Sequence, residues 1–83
     1  MRVYLQQPAS GNEAPRYVQL TLQADLLGGW ELLRETGQPV GRVQLRRELF
    51  LSRDEATTAF EKARDVQLKR GYLVTFARGE TPR

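Results

Sequence analysis

Arginine is the residue type in this chain with the number and spacing to do chemistry. Arg42, Arg46 and Arg47 fall within six positions, Arg34 precedes them, and Lys69 and Arg70 follow as a pair. A guanidinium is planar, permanently charged and carries a donor fork matched to phosphate oxygens, so several on one strand would line a groove that tracks a nucleic-acid backbone. Such contacts hold a backbone without reading its bases. The plainer reading of the same residues is that Glu31, Glu35 and Glu48 on neighbouring strands pair with them.

Other chemistries lack their residues. The chain has no Cys and no His, so disulfides, thiolate ligands, the commonest metal ligand and the commonest general base are all missing. Glu31 and Glu35 have no partner that would define a reaction. The expectation is a non-enzymatic protein with no cofactor and no metal.

The elements that must position these arginines follow from the pattern. At 83 residues, with 40% hydrophobic and 28% charged side chains, the composition is that of one globular domain. Residues 2–6 alternate, with Val3 and Leu5 on one side. Residues 16–24 alternate more strongly, with Val18, Leu20, Leu22 and Ala24 sharing a face, and the paired Gly28 and Gly29 turn the chain into a strand beginning at Trp30. A turn over 36–41, carrying Gly37, Pro39 and Gly41, leads to a strand over 42–51. Its odd positions Val43, Leu45, Leu49 and Leu51 form one face, interrupted by Arg47, and Arg42, Gln44, Arg46, Glu48 and Phe50 form the other.

Ser52 then caps a helix. Glu55 completes a capping box, Leu51 is placed to staple onto Ala56, and Ala56, Ala59, Phe60, Ala63, Val66 and Gln67 make a narrow buried stripe. Asp65 and Lys69 are spaced as an ion pair, and Gly71 ends the helix. Tyr72, Val74 and Phe76 alternate in a last strand, with a disordered basic tail from about residue 77. The predicted fold is α+β: a small antiparallel sheet of about five strands packed with a single helix, over one domain spanning 1–83.

In this order the pieces RYVQLTLQ, LLGGWELLRE, RVQLRRELF, the Ser-capped helix and QLKRGY resemble a WGR domain. That small sheet-and-helix module is named for a Trp-Gly-Arg motif and occurs in poly(ADP-ribose) polymerases and in many short bacterial proteins. The resemblance covers nearly the whole chain. It implies binding of DNA near a strand end, with the motif's Trp packed on a nucleotide and its Arg making charged contacts. Here the motif positions hold Thr36, Gly37 and Gln38, so only the glycine is kept. Thr36 cannot stack, and Gln38 offers no charge.

Two functions follow as expectations. The first is weak, non-specific DNA binding through backbone phosphates at Arg34, Arg42, Arg46 and Arg47, with Lys69 and Arg70 beside them. The second is a protein-interaction or regulatory module whose partner is another chain or its own copy, using a sheet edge or the apolar spots Leu26, Leu27 and Val40. The Arg cluster favours the first, and the missing Trp and Arg of the motif favour the second. Lys and Arg exceed Asp and Glu by 13 to 10, a net charge of +3 that permits an acidic partner. Trp30, at the head of an apolar strand, is expected in the core. Tyr4, Tyr17 and Tyr72 would stack on bases only if exposed. No apolar run approaches the roughly 18 residues of a membrane span, and the start MRVYLQQP lacks a signal-peptide stretch, so a cytoplasmic location is expected.

Overall fold

The computed structural model describes residues 1–8, 15–38 and 41–79. Its elements are β1 (Arg2–Gln7), β2 (Arg16–Ala24), β3 (Trp30–Gly37), β4 (Val43–Phe50), α1 (Arg53–Lys69) and β5 (Leu73–Arg78). The five strands form one antiparallel sheet in the order β4-β3-β2-β1-β5, with α1 packed on one face. The chain is therefore the small α+β fold that the pattern predicts.

The turn after β2 sets the register of the whole sheet. The Asp25 amide donates to the Gly29 carbonyl at 2.8 Å, and the Asp25 carboxylate takes the Leu27 amide at 3.3 Å. With the turn fixed at that length, Ala24 lies opposite Trp30, Leu22 opposite Leu32, Leu20 opposite Arg34 and Val18 opposite Thr36. Leu26 and Leu27 remain fully exposed at the tip.

On the helix side, Val3, Leu5, Val18, Leu20, Leu22 and Leu32 close over Ala56, Phe60 and Ala63. The two alanines let the helix backbone approach the sheet, and Phe60 supplies the volume between them. Ser52 caps the helix as expected, its Oγ accepting the Glu55 amide at 3.1 Å. At the other end the Gly71 amide bonds the Leu68 carbonyl and the Tyr72 amide the Gln67 carbonyl, a Schellman closure that places Gly71 at φ +92. The described residues contain no helix long and apolar enough to cross a membrane.

Several local expectations are corrected. Leu51 does not staple onto Ala56 but is exposed, in the bend between the end of β4 and the helix cap. The register puts Glu48 opposite Leu32 and Gln44 opposite Thr36, so the polar side of β4 shares the helix face while Val43, Leu45 and Leu49 stand in the open on the other. Asp65 takes the guanidinium of Arg64 at 3.1 Å rather than Lys69. In β5 the alternation breaks, because Tyr4 pairs with Phe76 and Leu5 with Val74, leaving Thr75 as an extra residue. Val74 thus falls on the side of Leu5 and Phe76 on the side of Tyr4. The strand also continues through Ala77 and Arg78, held by Val3 and Arg2, where a tail was expected from about 77. The loop over 9–14, Pro39 and Val40 of the turn, and the last four positions, 80–83, lie outside the described residues.

Candidate nucleic-acid interface

Alternation along β4 sends its arginines to opposite sides of the sheet. Arg47 lies on the open side and is spent locally. Its Nε donates to Glu31 Oε1 and its terminal nitrogen reaches Asp25 Oδ1 at 3.4 Å, while Gln23 Nε2 donates to the second Glu31 oxygen at 2.9 Å. Glu31 is a carboxylate only 8% exposed, so this cation and this amide satisfy a group that would otherwise be costly to bury. The expected pairing of acidic residues with the arginines thus holds for Glu31. Glu35 instead accepts the Tyr17 hydroxyl at 2.7 Å. That bond, with burial and the carboxylate's charge adding to it, raises the Tyr17 pKa above its ordinary value.

Arg46 is on the helix side, directly opposite Arg34. Like charges facing across two strands are mutually destabilising. Arg34 also lines a shallow groove with Lys62 and Glu48, where β3 and β4 meet the helix. No ion pair joins either arginine to a carboxylate among the described residues.

The densest basic site lies at the end of the sheet where β2 begins and β3 ends. Here a cleft of about 510 Å³ is lined by Arg16 from the start of β2, Arg42 from the entrance to β4, and Arg70 from the helix C-cap. Gln38, Gln44 and Gln67 add amide groups, and Tyr72 forms part of the wall. Among the described residues no Asp or Glu lines it, and no ion pair ties these three arginines to any of them. Three arginines around one open concavity can supply a donor array for an oxyanion.

Thr36, Gly37 and Gln38, compared above with a Trp-Gly-Arg motif, all line this cleft. Thr36 and Gln38 are polar wall residues. Gly37 has a packing reason of its own, since a Cβ there would lie 2.7 Å from the Arg42 carbonyl oxygen and 3.5 Å from the Tyr17 ring. The glycine lets β3 and the entry to β4 approach closely enough to bring Arg42 to the wall.

The remaining aromatic and basic candidates are placed elsewhere. Tyr4 and Tyr17 stack on one another on the open side, centroids 5.4 Å apart and planes 10° from parallel. Tyr72 packs against the core, as does Trp30, whose ring also carries the Arg53 guanidinium 5.5 Å from its centroid. Trp30 begins β3 and the cleft is at its other end, so this Trp does not serve the arginines. Lys69 is exposed on the last turn of the helix and does not line the cleft.

Arg16 was the residue missed in the sequence. Its signal was available: counting back from the Ala24–Trp30 pair places residue 17 opposite Gly37, and so Arg16 beside the motif positions. In comparisons with protein families, curated proteins and solved structures, the chain matches none.

Proposed function

We infer that this chain is a non-enzymatic, cytoplasmic, WGR-like module that binds nucleic acid weakly through backbone phosphates. The observation that carries this reading is the cleft: Arg16, Arg42 and Arg70 all line it, and no carboxylate does among the described residues. Arg34 and Arg46 extend the basic surface along the same face of the sheet. A phosphate oxygen between those two would relieve a like-charge contact that the free chain bears, so binding gains from the arrangement. Arg47, neutralised by Glu31 and Asp25 on the far face, drops out of the interface, and Arg16 enters it. The resemblance to WGR domains supports the same reading, because the positions of the family's motif line the cleft. Without the motif's Trp and Arg, recognition rests on charge, and sequence preference is not expected.

The test is a fluorescence-anisotropy titration of labelled single-stranded, blunt duplex and nicked DNA at two salt concentrations. Binding that weakens steeply with salt is the expected result. A preference for nicked DNA would extend the reading to strand ends, and no binding at low salt would overturn it.

A further inference from the structure

β4 is the outermost strand on its side of the sheet, and among the described residues no strand lies beside the main-chain donors and acceptors of its outer edge. The opposite edge is blunted: β5 is shorter, and its extra residue Thr75 breaks the register while its hydroxyl bonds the Tyr4 carbonyl at 3.3 Å. β4 pairs with β3 over eight residues without a bulge. It also exposes apolar side chains on the open side, Val43 at 52%, Leu45 at 65% and Leu49 at 60%, and Leu51 just past its end is 93% exposed. An unpaired edge that exposes apolar side chains is a template for another strand.

The residues of β4 state which strand. We propose that β4 pairs antiparallel with β4 of a second copy about a two-fold axis at Arg47, joining two sheets into one of ten strands. In that register the positions of a facing pair sum to 94. Leu45 then faces Leu49 of the second copy and Arg46 faces its Glu48, each contact occurring twice by symmetry, while Val43 comes level with Leu51 just past the end of the second strand. The exposed leucines at 45 and 49 meet each other, and both charges on the helix side meet their opposites. The axial pair, Arg47 with Arg47, is tolerable because each guanidinium already bonds Glu31 and Asp25 of its own chain.

The neighbouring registers lack this fit. Moving the axis to Arg46 sets Arg46 against itself and Leu45 against Arg47. Moving it to Glu48 opposes two carboxylates and sets Leu49 against Arg47. The charges on this edge therefore select one pairing and resist others, which is the role edge charges have in negative selection against random association. In the pair Arg46 turns to Glu48 of the second copy, and phosphate contacts fall to Arg34 and the cleft arginines.

Sedimentation velocity over a concentration series tests the pairing. The expected result is a species of twice the 9.5-kDa chain mass at high concentration. Arg46→Glu and Glu48→Arg should each weaken association about tenfold or more, since two attractive cross-strand pairs become repulsive, and the double swap should restore it. A chain that stays monomeric throughout, or single swaps without effect, overturns the proposal. Register is read separately by cysteine substitution, because the chain has no cysteine of its own. Arg47→Cys should cross-link to its copy on mild oxidation, whereas two Leu45→Cys residues would lie about 13 Å apart along the strands and should not. Equal cross-linking at both positions refutes the register, and circular dichroism establishes that each variant is folded.

Discussion

Phe60 fixes the helix to the sheet, and its removal gives the clearest measure of what holds the fold together. The side chain is 4% exposed and lies between Ala56 and Ala63 against the leucines and valines of β1, β2 and β3. Flanking alanines have no atoms with which to fill the gap, so Phe60→Ala leaves a cavity rather than a collapse. The expected loss is about 3–5 kcal/mol. An 83-residue domain has about 4–12 kcal/mol of stability in all, so the variant should sit near the edge of folding. At about 4–8 °C per kcal/mol for a domain of this size, Tm should fall by well over 10 °C. Leu26→Ala is the control, a comparable truncation at a fully exposed turn position, with an expected cost under about 0.5 kcal/mol. Urea unfolding followed by circular dichroism at low protein concentration separates the two. Equal midpoints for Phe60→Ala and Leu26→Ala would refute the placement of the core.

Three further outcomes follow from particular contacts. Arg47→Met leaves the Glu31 carboxylate with only the Gln23 amide, and should cost about 1–3 kcal/mol, less than a fully buried pair because the Arg47 side chain is more than half exposed. A double-mutant cycle with Glu31→Gln should show coupling, and purely additive losses would contradict the pair. Tyr17 has a raised pKa in the folded chain, so its contribution to stability is complete below about pH 10 and is lost as pH climbs through the folded value. Tyr17→Phe should therefore flatten the alkaline limb of a stability–pH curve, and an unchanged limb would argue against the Glu35 bond. Ser52→Ala should cost about 1 kcal/mol in urea unfolding through loss of the helix cap, and no measurable change would rule out the capping role.

Elements whose reasons are local were legible in the sequence. Period-two burial in β2 named Val18, Leu20 and Leu22 correctly, and the helix limits followed from Ser52 and Gly71. Features set by pairing between distant strands were less so. Alternation gave the two sides of β4 but not which one the helix would share, because that depends on the register with β3, where Leu32 meets Glu48. The bulge at Thr75 is likewise a property of β1 and β5 together, and it reversed the side expected for Val74 relative to Phe76. Arg42 and Arg70 were legible as candidates from their type. Arg16 could be placed beside Gly37 by counting back along the β2–β3 hairpin, but its meeting with Arg70 could not, since that depends on where the helix end packs.

The central claim, that the cleft arginines bind phosphate, is tested most directly by the salt dependence of duplex DNA binding in the wild type and in an Arg42→Gln, Arg70→Gln variant. Three arginines each neutralising one phosphate give a slope of log K against log salt of about −2.7, or about a 40-fold loss of affinity for a fourfold rise in salt. Contacts from Arg34 and Arg46 would steepen it. The double variant should bind more weakly, with a slope shallower by about 1.8. A variant that keeps both the affinity and the slope of the wild type would contradict it.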